Sequence, residues 1–179
     1  HSKVIIRGVG VTIAAGVLLG TGLSLLTGLV AIDRSIMLIL MALIAAASLL
    51  GWIEDFRGLS VRVRAGLQLL LGIFATTALV WTMEQSYWWV PVGALAIAAY
   101  INVANFMDGV NGISGLHGFV VGVLYAVAGQ LSDHVWMTVA GAVTAAAFAA
   151  FLPWNLGRGS VFMGDVGSYL LGSAIAGTA

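Results

Sequence analysis

The sequence predicts an all-α integral membrane protein: a polytopic bundle of about seven transmembrane helices whose polar site lies on the cytoplasmic face. Three observations carry this. Hydrophobic residues make up 61% of the chain and charged residues 8%, where a soluble domain carries about 25% charged residues. Apolar runs recur, each about 17 to 25 residues long, the length a helix needs to cross the hydrocarbon core. The cations fall unevenly between alternate interruptions of those runs, as the positive-inside rule requires.

In order, the first apolar run extends from about Gly8 to Val30 and closes at Asp33-Arg34. The second covers about Ser35 to Ile53 and stops at Glu54-Asp55. A charged segment, Glu54 to Arg64, precedes the third run, about Ala65 to Met83. Tyr87-Trp88-Trp89 reads as an interfacial aromatic belt opening the fourth, which ends near Ala104. Asn102 to Ser114 is polar, and the fifth run, about Leu116 to Leu131, is short and glycine-rich. The sixth covers about Val135 to Leu152. A glycine-dense loop from Pro153 to Asp165 follows, and a seventh run starts near Val166. Small residues throughout suit close helix packing in lipid.

Seven spans make the loops alternate in side. The N-terminal segment, Glu54–Arg64, Asn102–Ser114 and Pro153–Asp165 together hold Lys3, Arg7, Arg57, Arg62, Arg64 and Arg158, while the other loops hold only Arg34. Six cations against one put the first set in the cytoplasm. Every long polar segment then lies on one face of the bundle, which is the layout of a site. The absence of cysteine excludes disulfides and thiolate metal sites. Zero net charge gives no footprint for a nucleic acid, and no nucleic-acid partner is expected. Residues 1–179 read as a single transmembrane catalytic core of a longer polytopic chain.

Four clusters carry chemistry. Glu54 and Asp55 are adjacent acids at a span end, useful as a base or in a metal site, or else simply a charged stop beside Arg57. Arg57, Arg62 and Arg64 meet lipid headgroups or a phosphate substrate equally well. Asn102, Asn105 and Asp108 lie three apart and share one helix face. That face is costly in a membrane unless it lines a wet cavity. Asp165 precedes Gly167-Ser168 at the start of a helix, as an N-cap or as a Mg²⁺ ligand. No His-x-x-x-His pair is present, so a zinc-protease reading has no support. Acids, amides and arginines in one cleft suit a metal-bound phosphate or diphosphate. A site at the lipid boundary suits one soluble and one lipid substrate.

Two of these segments carry a family resemblance. Asn105-Phe106-Met107-Asp108-Gly109-Val110-Asn111-Gly112 and Val161-Phe162-Met163-Gly164-Asp165-Val166-Gly167-Ser168 resemble motifs of the polyprenyl-phosphate N-acetylhexosamine-1-phosphate transferases. These are of the glycosyltransferase family 4 type and include phospho-N-acetylmuramoyl-pentapeptide transferase. Glu54-Asp55 stands where that family has an Asp-Asp pair, and Arg7-Gly8-Val9-Gly10 is similar to the tail of its N-terminal glycine-rich segment. The resemblance implies transfer of a sugar-1-phosphate from a UDP-N-acetylhexosamine to polyprenyl (undecaprenyl) phosphate, with release of UMP, at the bacterial cytoplasmic membrane. It implies Mg²⁺, with Mn²⁺ as its substitute, and a homodimer.

By residue, it implies Asp165 as metal ligand and Asp55 with Glu54 as the base or positioning pair for the lipid phosphate. Asp108 joins them in the catalytic set. Asn105, Asn155 and Asn111 hold the nucleotide or its diphosphate, Phe162 stacks on uracil, and Arg64 and Arg7 contact phosphate. Glu54 and Asn111 depart from the family pattern, and the family's histidine-rich loop lies beyond the seventh span. Those departures leave an impaired nucleotide-sugar-binding relative as the alternative. A transporter would spread its acids through the membrane depth, whereas these cluster at span ends.

Overall fold

The computed structural model describes residues 8–158 and 161–179. Among them the chain forms α1 (Gly10–Leu26), α2 (Arg34–Arg57), α3 (Val61–Thr82), α4 (Trp89–Met107), α5 (Ile113–Leu131), α6 (Val135–Arg158) and α7 (Gly164–Thr178). Helices α2 to α6 are long and apolar enough to cross a membrane. The apolar α1 is shorter, at 17 residues, and α7 has 15. Of the seven expected spans, five therefore reach spanning length among the described residues. The phosphate contact expected at Arg7 lies outside the described residues.

Two boundaries differ from expectation. α2 runs past Glu54-Asp55 to Arg57 and stops where Gly58 takes φ +61° and returns its amide to the Glu54 carbonyl at 3.0 Å. Both acids thus sit on the helix's last turn, not in a loop. α6 runs through Pro153 to Arg158. Proline keeps a helical φ and forfeits one amide donor, a loss that membrane helices tolerate where neighbours meet the freed carbonyl.

The bundle is built around α7. Every residue from Val166 to Ile175 is buried, and α2, α4 and α1 pack around the helix, while α5 pairs mainly with α6. Leu170, Leu171, Ala174 and Ile175 enter one core cluster with Ile13, Val17, Ile44 and Phe148. Tyr169 enters another with Leu50, Ala75, Ile97 and Ile101. In lipid this arrangement depends on close backbone approach rather than on expelling water. Gly51 on α2 shows it: a Cβ there would meet the Asp165 carbonyl oxygen at 2.3 Å. That neighbour is backbone and cannot yield. Gly51→Val is therefore expected to cost about 1–3 kcal/mol by overpacking. The cost is measured as a fall in thermal stability in detergent, with loss of activity following from the displaced start of α7.

The connections α2–α3, α4–α5 and α6–α7 meet at one end of the bundle. Hydrogen bonds join Asp55 to the start of α7, Asn105 to Asp165, and the α4–α5 turn to Asn155. At the opposite end, Asp33, Thr82, Met83, His134 and Trp136 line a separate cavity. The expected gathering of polar segments thus holds for these three.

Candidate active site

The site lies at the N-terminus of α7. The first amides of a helix have no partner within it, and its dipole places positive charge there. Here the partners come from two other helices. The Asp55 carboxylate, from the last turn of α2, accepts from the Asp165 amide at 3.1 Å and the Val166 amide at 3.3 Å. Asp108, the residue closing α4, accepts from the Gly164 amide at 3.2 Å. Gly164 has φ +69°, and a Cβ on it would stand 3.0 Å from an Asp55 oxygen, so a side chain there is strained twice over.

Asp165 itself is not the cap. The N-cap position belongs to Met163, which makes no side-chain cap bond. Capping from a neighbouring helix frees the Asp165 carboxylate to face the cavity, where the Asn105 amide nitrogen donates to it at 2.9 Å. A cavity of about 330 Å³ results, lined by Asp55, Asn105, Asp108, Gly109, Phe162, Gly164 and Asp165. Asp108 shows what this crowding costs. Burial pushes its carboxyl up to about 7; Asp165 and Asp55 push the same way, and the Gly164 and Met163 amides oppose them.

Several expected site residues sit elsewhere. Glu54 does not line the cavity with Asp55. Consecutive positions on a helix point about 100° apart, and Glu54 turns toward the next turn instead. One of its oxygens accepts from the Leu59 amide at 2.8 Å, and the other pairs with Arg64 at 3.4 Å. Arg64, expected on a phosphate, is therefore held in that ion pair. Asn155, expected on the nucleotide, is 2% exposed. Its carbonyl oxygen accepts from the Gly112 amide, and its nitrogen donates to the Val161 carbonyl at 2.8 Å. Buried and with both ends used internally, it pins the α4–α5 turn to the segment leading into α7. Asn155→Ala leaves two buried backbone groups unpaired and is expected to cost about 2–4 kcal/mol, read as a drop in apparent melting temperature. Asn111 is exposed in the α4–α5 turn and does not line the cavity. Asn102, three residues before Asn105 on α4, donates to Gln68 of α3 and does not line the cavity.

Gly109 and Gly164, a turn glycine and a glycine suited to close ligand approach inside the two motifs, also line the cavity. Gln68, bonded to Asn102, and Tyr169, one turn after Asp165 on α7, are fully buried polar side chains. Their signal was a lone amide and a lone phenol in otherwise apolar runs.

The donor set is all oxygen, with three carboxylates on one cavity wall. Among the described residues no three acids or histidines close into a metal cage by themselves. Oxygen ligands are the kind that Mg²⁺ takes, one or two carboxylates with water and substrate phosphates completing its shell.

Residues 36–179 match the family model described as glycosyl transferase family 4. Curated relatives agree. A phospho-N-acetylmuramoyl-pentapeptide-transferase of Moorella thermoacetica is 28% identical over 93% of this chain and 59% of its own length. One of Chlorobium phaeobacteroides is 27% identical over 80% of this chain and 50% of its own. One of Clostridium botulinum is 31% identical over 52% of this chain and 29% of its own. The chain thus spans between about a third and three-fifths of the relatives it matches. The family match contains every residue lining the cavity at the start of α7, and the chain belongs to glycosyl transferase family 4.

Proposed function

We propose that the protein transfers a sugar-1-phosphate, N-acetylhexosamine-1-phosphate, from a UDP-sugar to polyprenyl phosphate and releases UMP. The observation that carries this reading is the meeting of Asp55, Asp108 and Asp165 at the amide terminus of one buried helix, at the end of an apolar bundle. Six cations against one in alternate loops support a cytoplasmic position for that end. The curated relatives support a cell-wall precursor as the product class.

Asp165 and Asp108 are the residues assigned to Mg²⁺, and Asn105 orients the Asp165 carboxylate. Bound there, Mg²⁺ supplies charge neutralisation for a diphosphate. Phe162, on the cavity wall, is assigned to the uracil ring. Asp55 is assigned to the polyprenyl phosphate, which it orients and whose proton it accepts. An oxygen of the lipid phosphate forms a bond to the sugar-bearing phosphorus. The bond from that phosphorus to the bridging oxygen breaks, and UMP leaves with the oxygen. Positioning and electrostatics carry most of the rate in such a transfer.

The test uses the full-length protein in membranes with undecaprenyl phosphate, Mg²⁺ and a panel of labelled UDP-N-acetylhexosamines. The expected result is a lipid-linked sugar from at least one member, lost on adding EDTA. No lipid-linked product from any member contradicts the reading.

A further inference from the structure

A second polar layer lies one helical turn below the acids. On α7, Tyr169 follows Asp165 by four residues and shares its face. On α3, Gln68 follows Arg64 by the same interval. Tyr169 shares a core cluster with Leu50, and Leu59 and the α3 residue Leu71 pack against that cluster; Leu50 and Leu59 flank Glu54 in sequence. Tyr169 is fully buried, yet its hydroxyl makes no hydrogen bond of normal length. The charged groups that act on that hydroxyl are Asp165, Arg64 and Glu54, with Arg64 near enough to act as a distant hydrogen-bond donor.

An orphaned polar atom in a dry core is costly, and native structures keep few of them. Here the missing donor is at hand. Arg64 carries five N–H donors, and its link to Glu54 is a single contact at 3.4 Å, longer than a charge-assisted bond in good geometry. Contacts of catalytic sites are often long before substrate arrives and tighten in its complex.

We propose that Tyr169 is a positioning residue for Arg64: in the loaded site its hydroxyl accepts a guanidinium hydrogen bond and holds that cation beside Asp165. The proposal rests on the transferase reading. It gives Arg64 a place behind the acids, where its charge offsets theirs, instead of a direct phosphate contact.

Tyr169→Phe in the full-length protein removes one oxygen. If the hydroxyl only fills space, activity stays constant and thermal stability is equal or higher, since an unpaired buried group is gone. The positioning role predicts a kcat lower by about tenfold, the worth of one hydrogen bond to a charged group, with KM for the UDP-sugar unchanged and melting temperature not reduced. Arg64→Lys keeps the charge and loses the fork. It is expected to show a similar loss, and the double variant is expected to be no worse than Arg64→Lys alone. An active wild type with an equally active Tyr169→Phe variant overturns the proposal. So does a loss of activity matched by a fall in melting temperature, which marks a packing role. A wild type that transfers no sugar phosphate overturns the transferase reading itself.

Discussion

Asp165→Asn is expected to lower transfer activity by a factor on the order of 10³, about 4 kcal/mol of barrier, while leaving the fold intact. The asymmetry follows from how α7 is capped. Asp55 and Asp108 satisfy the helix's first amides from other helices, so the Asp165 side chain is not needed as a cap. An asparagine there still accepts from Asn105 but loses the negative charge that draws a divalent cation. The checks are steady-state kinetics across a Mg²⁺ titration and melting temperature in detergent. An unchanged Mg²⁺ response would remove Asp165 from the metal site. A collapsed melting temperature would make it a structural residue.

Asp108→Asn is expected to separate stability from activity. With its carboxyl raised to about 7 in the folded protein, from an ordinary value of 3.8, Asp108 binds its proton more tightly folded than unfolded. Its contribution to stability is complete below pH 3.8 and is lost as pH rises toward 7. Without divalent cations, the wild type should therefore lose stability over that window, and Asp108→Asn should lose less. At pH 8 the variant should melt several degrees higher while its activity falls by about a hundredfold or more. Melting curves from pH 4 to 8 in EDTA decide this. Identical pH dependence in the two proteins would mean that Asp108 is not the strained acid.

Most of the fold was legible because lipid makes helix length and polar interruption unambiguous. The order of the runs, the small residues at contacts and the gathering of Asp55, Asn105, Asp108 and Asp165 followed from that logic, whereas Phe162 came only with the family resemblance. Side-chain direction did not. Glu54 and Asp55 read as a pair because they are neighbours in the chain, yet helix geometry sends one to Arg64 and the other to α7. Asn155 read as a ligand residue because it is polar beside a motif, whereas its partners, Gly112 and Val161, are known only once the turns are packed. Asp165 offered two readings, cap or ligand. Only a residue more than a hundred positions away in the chain, Asp55, takes the cap role and leaves the carboxylate free.

The common theme is a buried helix whose amide end is tied by acids from its neighbours, so that tertiary packing and site geometry are one arrangement. Loss of Gly51 and loss of Asn155 should both disturb the site through position, without touching substrate.

The most direct test of the central claim follows the sugar-bearing phosphorus. A UDP-N-acetylhexosamine labelled at that phosphorus and in the sugar is incubated with the full-length protein, undecaprenyl phosphate and Mg²⁺. The account predicts that both labels move together into the lipid and that unlabelled UMP appears in equal amount. Sugar label in the lipid with the phosphorus left on released UDP would contradict it.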